Sequence, residues 1–423
     1  MKRLAFRFFF IYFILATALW QIFEFIPGLS TITYVINDIF VPVVTFFNDH
    51  LFHVKEKLNI DGGGSGDTSY AWAYFFTTLL LSIFGALLWT LLERKPRSYD
   101  KLNWWLKNTL RYYVIIIAFL YGTIKLFAMQ MPEPNLSQLA TPLGDYLPMR
   151  LSWMFFGYSS PYQIFSGIME MLVAILLLYR RTIAMGLFLG FGVFLNVFIL
   201  NLCFDIPVKI FSLHLVLYCM YLIATDANHY LNFLWRNKPT GVLSSYDFTN
   251  TNKFFKIFRI VFKALIILLF GVFSTYQSWE YKQEFYQSKI QKPIEPGVYH
   301  TTSIKVNNNE IPISLANDKL WKEFIFQDDT NGSVLTSDTI FRQSYNRGYF
   351  SYQVDAKNNK IIFKKFKNDK KVLFESKYKI IRPKTIQLKT KVKNDSLDIT
   401  LVKSERKFQL SEKQFHWISE ANR

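Results

Sequence analysis

Cysteine is nearly absent: the chain has two in 423 residues, Cys203 and Cys219. No Cys-x-x-Cys spacing exists, so the exchanging pair that a membrane thiol oxidase needs is missing, and the two read as small apolar residues. There is no glycine loop ending in lysine to cradle phosphates, no His-Glu-x-x-His and no nucleophile elbow. Six histidines are scattered along the chain and only His214 falls inside an apolar stretch, so neither a haem nor a metal site is expected. Acids are scarce too, 31 against 49 basic residues, for a net charge of +18. That imbalance would suit a nucleic-acid binder, but the basic residues either border apolar stretches or belong to the C-terminal third, so no nucleic-acid partner is expected.

What the chain has in abundance is apolar and aromatic surface, 51% and 18% of its residues. Seven stretches read as membrane spans: Leu4 to Ile26, Tyr70 to Leu92, Trp104 to Met129, Tyr162 to Tyr179, Thr182 to Leu202, Ile210 to Thr225 and Ile260 to Ser278. Each suffices, or nearly so, for a hydrocarbon core of about 30 Å at about 1.5 Å per residue, the sixth being the shortest. Basic residues border alternate ends of these spans: Lys2, Arg3 and Arg7, then Arg94 to Lys101, Arg180-Arg181, and Arg236 to Arg259. The positive-inside rule then predicts a cytoplasmic N-terminus and, after an odd number of spans, a C-terminal region on the outside. Ala16-Thr17-Ala18 resembles a signal cleavage site, but apolar residues continue to Ile26, and a retained anchor is expected. The following segment, "TITYVINDIFVPVVTFFNDHLFHVKEKLNI", mixes apolar residues with charge and reads as interfacial, and Gly62-Gly63-Gly64-Ser65-Gly66 reads as a flexible linker.

From about Tyr281 the period changes. "GVYHTTSIKV", "GYFSYQVD", "KIIFKKFK", "TIQLKTKV" and similar segments alternate apolar with polar residues between turn-forming Asn, Asp, Gly and Pro. They predict about eight short strands in an all-β barrel or sandwich, and the opening Gly297-Val298-Tyr299 resembles the lipocalin type. The expected domains are 1–69 (first span, interfacial segment, linker), 70–280 (the α-helical membrane bundle) and 281–423 (an extracytoplasmic β domain). The β domain carries much of the positive charge; an anionic lipid surface or an acidic envelope partner would suit it, as would a merely solvated face, and its barrel is either a ligand cup or a packed cap.

A charged side chain within a span costs about 2.5–3.5 kcal/mol, so it faces a bundle interior or a wet cavity. Lys125, Glu170, Asn196, Asp205, Lys209 and His214 all fall in the outer half of the predicted bundle. This shared depth predicts an outward-facing polar pocket, with Trp153, Phe155 and Phe156 available as an apolar wall for a ligand. Each residue also has a simpler use: interfacial charge for Asp205 and Lys209, snorkelling for Lys125, helix packing for Asn196 and His214, and a buried partner such as Lys125 for Glu170.

"FLYGTIKLF" (Phe119 to Phe127), followed after a loop by "WMFFGYSSPYQIFSGIMEMLVAILLLYRRTIAMGLFLGFGVFLNVFILN", resembles the DoxX-like membrane family in its Gly-x-x-Lys, its Gly-x-x-Glu helix and its arginine corner. The region Trp104 to Asn237 is also similar, more distantly, to the transmembrane domain of the vitamin K-dependent gamma-carboxylase and its bacterial kin, which likewise carry a β-rich domain on the lumenal side. The resemblance implies a multi-pass protein of a bacterial inner membrane with a periplasmic β domain. It gives Lys125 the place of a catalytic base and implies a quinone as cofactor; in the enzyme reading of the outer pocket Glu170 and His214 are then the proton partners, and Asn196, Asp205, Lys209 and Trp153 stand around the ligand. The carboxylase's substrate-binding loops have no match, so carboxylation is not implied. Two classes stay open: a quinone-linked or carboxylase-like membrane enzyme, and a non-catalytic envelope protein whose bundle anchors a basic β domain.

Overall fold

The structure is a computed structural model and describes every residue except 1, 62, 94–97, 242–252, 288–293, 314–320, 329, 338–340, 393, 413–414 and 421–423. The chain forms two compact units, Met1–Gln130 with Pro161–Ser278, and Met131–Ser160 with Trp279–Arg423. In chain order the helices are α1 (Lys2–Thr17), α2 (Ser30–Phe47), α3 (Ser69–Leu92), α4 (Asp100–Leu126), α5 (Leu136–Leu139), α6 (Pro148–Tyr158), α7 (Ser160–Leu178), α8 (Ile183–Cys203), α9 (Lys209–Ala224), α10 (Ala227–Leu234), α11 (Lys253–Ile266) and α12 (Ser274–Gln287).

The first unit is helical, and seven of its helical stretches are long and apolar enough to cross a membrane. Six coincide with expected spans. The remaining expected one, Ile210 to Thr225, is α9, which passes that test only together with α10, from which it is bent by 78°. The seventh stretch, Ser30–Phe52, covers the segment read from sequence as interfacial. The bundle core is built of large apolar side chains of α4, α7 and α9, but α3 packs in the opposite sense. On α3 the buried residues are Ala73, Thr77, Thr78, Ser82 and Ala86, while Phe84, Leu87, Leu88 and Leu91 are exposed. Small residues inside let backbones approach, and large apolar residues outside need a hydrocarbon solvent.

Side-chain contacts fix the helix directions. Arg7, early in α1, donates to Thr90 (2.5 Å) and pairs with Glu93 at the far end of α3, while the Tyr74 hydroxyl at the start of α3 donates to Leu15 O (2.9 Å). The two helices are therefore antiparallel. On α4 and α9, Lys107 pairs with Asp226, Tyr113 packs on Tyr218 and Tyr121 on Phe211, so these also run antiparallel. The result is that the N-terminal ends of α1 and α4 and the C-terminal ends of α3 and α9 lie at one end of the bundle, with Arg180 and Arg259 close to Arg111 there.

α2 does not follow this alternation. Trp20, just beyond α1, stacks on Phe40 at 4.8 Å; Phe40 meets Tyr74 and Phe52 meets Phe76. Twelve residues of helix, about 18 Å long, thus touch α3 at positions two residues apart, so α2 crosses α3 instead of running along it.

The second unit holds β1 (Gly297–Val306), β2 (Asn309–Glu310), β3 (Trp321–Phe326), β4 (Asn331–Thr336), β5 (Arg347–Asp355), β6 (Lys360–Lys364), β7 (Val372–Arg382), β8 (Thr385–Val392) and β9 (Asp395–Lys403). All pairings are antiparallel; apart from the two-residue β2, which pairs with the end of β1, neighbours follow sequence order, and β9 returns to β1 to close an eight-stranded barrel. Asn307 and Asn308 take positive φ in the β1–β2 turn, a conformation that asparagine tolerates. Side chains of one parity fill the interior: Tyr299, Phe324, Phe326, Phe350, Tyr352 and Phe363 are all fully buried. Eight strands enclose a space that side chains can fill, and here they fill it with aromatics packed mostly edge to face, the arrangement of a packed cap.

The segment 131–160, assigned from sequence to the membrane bundle, belongs to this barrel unit. Ala140 packs on Val298 and Ile325, and the Ser137 hydroxyl bonds Ser333 (2.8 Å) and accepts from Gln327 (2.7 Å). The segment is a loop between α4 and α7 in sequence, but its short helix α5 covers the outward side chains of β3 and β4.

Candidate functional site

Glycine makes the crossing of α4 and α7. A Cβ on Gly167 would lie 2.7 Å from Leu126 N and 2.8 Å from Gly122 O, so only glycine lets α4 and α7 touch backbone to backbone. One turn along each helix from this contact stand Lys125 and Glu170, paired to one another and only 7% and 2% exposed. The Gly-x-x-Lys and Gly-x-x-Glu spacings are thus two halves of one crossing: the glycine brings the helices together and the residue three positions later fills the gap with charge. Lys125 binds Oε1 of Glu170, while Oε2 is buried with no hydrogen-bond partner. Tyr121, one turn before Lys125, lies within electrostatic reach of the same carboxylate. Two turns before Glu170, buried Gln163 accepts from Gln130 N (3.2 Å), and Oε1 of Gln130 is a second buried oxygen without a partner.

His214 occupies a different place. Its Nδ1 lies 2.7 Å from Ile210 O and its Nε2 2.8 Å from the Tyr12 hydroxyl, so the neutral ring donates to the carbonyl and accepts from the phenol. Rings of Tyr12, Phe75 and Tyr218 surround it. Asp205 and Lys209 form a third group. Asp205 is exposed with φ of 49° and takes the Lys209 ammonium at 2.8 Å, at the turn before α9. Sequence reasoning missed the acid that organises this turn. Asp67, next to the glycine-rich stretch, accepts from Lys209 N (2.8 Å) and Ile210 N (3.1 Å), capping α9 from 142 residues away, while Gly66 N donates to Pro207 O (2.8 Å). The expected flexible linker is therefore strapped to the α8–α9 turn.

The remaining predicted residues lie elsewhere. Asn196 is exposed on α8; the buried amide of that helix is Asn201, which donates to Ser212 (2.9 Å). Trp153 is half-buried in α6, in the barrel unit. The single polar pocket expected from shared depth thus resolves into the Lys125–Glu170 pair, the His214 aromatic cage and the Asp67–Asp205–Lys209 turn. Depth along a helix was legible from sequence; the face on which each side chain emerges was not. Tyr12 and Asp67 carried no signal of their own, because each acts on a residue more than a hundred positions away.

Two cavities open in this unit. One of about 340 Å³ is lined by Glu24, Leu120, Ser274 and Gln277 among others. The other, about 1510 Å³, lies along the first half of α4. Neither is lined by Lys125, Glu170 or His214. Among the described residues, no three His, Cys, Asp or Glu side chains gather as a metal ion would require.

No protein-family profile matches the chain, and no solved structure resembles it. One curated relative is the uncharacterized protein YwoB of Bacillus subtilis, 32% identical over 131 residues, which is 31% of this chain and 82% of that protein. The large share of YwoB that is matched places this stretch in the same family: the chain belongs to the YwoB family over those residues and carries further sequence beyond them.

Proposed function

We propose that the protein is a multi-pass inner-membrane protein whose bundle binds a lipid-soluble, hydroxyl- or carbonyl-bearing molecule of the quinone class at the Lys125–Glu170 pair, with redox or proton-transfer chemistry there. The observation that carries this reading is the buried, unpartnered Oε2 of Glu170. A buried carboxylate oxygen without a donor is costly, and a ligand hydroxyl would satisfy it. Lys125 holds the carboxylate in place and offers a donor to a carbonyl oxygen, and an amine and a carboxyl side by side are the kinds of group that serve proton transfer to a bound ligand. A bound quinone supplies reversible two-electron chemistry. The DoxX-like and carboxylase-like resemblance supports the same position for Lys125. In this reading the basic end of the bundle faces the cytoplasm, α2 lies in the outer interface, and the barrel is periplasmic.

Mass spectrometry of small molecules extracted from gently purified protein tests the site, comparing wild type with Lys125→Met and with the near-isosteric Glu170→Gln. A quinone-class compound present in the wild type and depleted in both variants is the expected result. Only bulk phospholipid in the wild type, or undiminished compound in folded variants, overturns it.

A second reading has its own support: the bundle anchors the barrel, whose basic face meets an acidic envelope partner or an anionic surface. Lys377 stands directly opposite both Lys360 and Lys389 in the β6–β7–β8 ladders, and while Lys360 pairs with Glu375 and Lys389 lies 3.4 Å from Asp398, Lys377 is exposed between them. Like charges directly across strands repel, and an anionic partner would relieve the repulsion. Crosslinking of the full chain in envelopes that captured one acidic partner equally with wild type and Lys125→Met would favour this reading.

A further inference from the structure

Residues 364–371 read Lys-Lys-Phe-Lys-Asn-Asp-Lys-Lys and carry the chain from the end of β6 to the start of β7. The acid in this run is committed to the backbone. Asp369 Oδ2 accepts from Phe366 N (3.1 Å) and Asp369 N donates to Phe366 O (3.1 Å), which closes the turn. The next acid along the chain, Glu375, is taken by Lys360. Among the described residues no carboxylate pairs with any of the lysines of the run, and Lys365, Lys367, Lys370 and Lys371 are exposed. Phe366 is 64% exposed, with the Lys365 ammonium 5.6 Å from its ring centre, and the first two residues of β7, Val372 and Leu373, are exposed as well.

A run of exposed lysines is by itself a solvated face and needs no partner. This one is held in shape by Asp369 and carries an aromatic ring where its charge is densest, and that ring gains by leaving water. One partner answers both features. An anionic bilayer offers phosphates to the ammoniums with hydrocarbon directly beneath them, and lysine stems lie along the apolar layer while their charges stay at the headgroups. An acidic protein would have to set carboxylates at fixed positions around a pocket for Phe366, whereas lipid headgroups rearrange around it. A bilayer is also always at hand for a chain with seven helical stretches of membrane length.

We propose that the β6–β7 loop is a docking finger for an anionic lipid surface: Phe366 enters the acyl boundary, and Lys365, Lys367, Lys370 and Lys371 meet the phosphates around it. This deepens the second reading given above, in which the barrel meets an anionic surface, and rests on that reading and not on the Lys125–Glu170 site.

The full chain in nanodiscs of dioleoyl phosphatidylcholine, floated with protein-free vesicles, tests the proposal. Vesicles containing phosphatidylglycerol are expected to capture the discs, phosphatidylcholine vesicles are not, and high salt is expected to release them. Each lysine at an anionic surface is worth about a fivefold gain, so Lys367→Gln/Lys370→Gln is expected to weaken capture about twentyfold. Phe366→Ser keeps every charge and is expected to weaken it about tenfold, because only a partner with an apolar phase takes up the ring. Both variants change exposed loop side chains, and the melting temperature is expected to stay at the wild-type value. Capture that is lost in Lys377→Gln/Lys389→Gln but undiminished in the loop variants overturns this inference and leaves the broader reading of a basic barrel face standing. Absence of capture by phosphatidylglycerol vesicles overturns the anionic-surface form of both. Capture of soluble polyglutamate as strong as that of the vesicles, with Phe366→Ser unchanged, also overturns the inference and assigns the loop to an acidic protein.

Discussion

Each unit of this protein buries a cation–carboxylate pair in its interior, Arg347–Glu323 in the barrel unit and Lys125–Glu170 in the bundle, and these two are finished differently. In the barrel unit, Arg347 is 2% exposed and binds Glu323; it also donates to Ser333 (3.2 Å), whose hydroxyl meets Ser137, which in turn accepts from Gln327. Among the described residues, no buried side-chain atom of this network lacks a partner. In the bundle, Lys125 meets Glu170 alone and an oxygen is left over. A saturated network specifies a structure, here the docking of the 131–160 segment on β3 and β4; an unsaturated one has capacity for something else. The cations differ in keeping with this. Arginine stays charged at any accessible pH and suits a permanent pair, whereas lysine can lose its proton and suits an exchanging one.

The comparison can be broken by removing one partner from each pair. Glu323→Leu leaves Arg347 as a buried charge that no proton loss can relieve, so it is expected to destabilise the barrel by about 3–5 kcal/mol. Lys125→Met leaves a carboxyl that can take up a proton and become neutral, and about 1–3 kcal/mol is expected. Thermal melting of the full-length variants in detergent, followed by circular dichroism for strand and helix separately, measures both. Equal losses would remove the distinction between a permanent and an exchanging pair. Recovery of most of the loss in a Lys125→Met/Glu170→Met double variant would show that the bundle pair can be replaced by packing.

The glycine crossing sharpens the comparison, because in the bundle the geometry of the pair rests on backbone contact. Gly167→Ala puts a Cβ where Leu126 N and Gly122 O leave no space, and about 1–3 kcal/mol of lost stability is expected as α4 and α7 separate. Gly144→Ala, where a Cβ would meet nothing within 4 Å, is the control and is expected to leave the melting temperature unchanged.

Much of the architecture was legible because period and length report solvent directly: long apolar runs for the helices, two-residue alternation for the strands. Strand number and spacing left a barrel and a sandwich open, and the β1–β9 pairing decides for the closed barrel. What sequence could not convey was partnership across distance. The 131–160 segment reads as a loop because its contacts, Ser137 to Ser333 and Gln327, lie about two hundred residues away. The pairing of Lys125 with Glu170 was accessible because both are costly in a membrane and share a depth; Asn196 shared that depth and faces outward. The stretch Ser30–Phe52 was read from sequence as interfacial because charge interrupts its apolar residues, although it is long and apolar enough for a span; Phe40 and Phe52 meet α3 at Tyr74 and Phe76, two residues apart.

The smallest effect expected concerns the strap. Composition makes Gly63 to Gly66 flexible, yet Asp67 ties the stretch to the first turn of α9 through two backbone N–H groups, and a carboxylate at a helix N-terminus is also favoured by the helix dipole. Asp67→Ala removes the cap and is expected to cost about 0.5–2 kcal/mol, whereas Asp67→Asn keeps an acceptor and loses less. Limited proteolysis reads the difference locally. Cleavage within 60–68 is expected to quicken in the alanine variant and to stay near the wild-type rate in the asparagine variant. Unchanged cleavage in both would mean that the strap holds through Gly66 N on Pro207 O, and that the acid serves the Lys209 ammonium, 3.7 Å away, instead of the helix end.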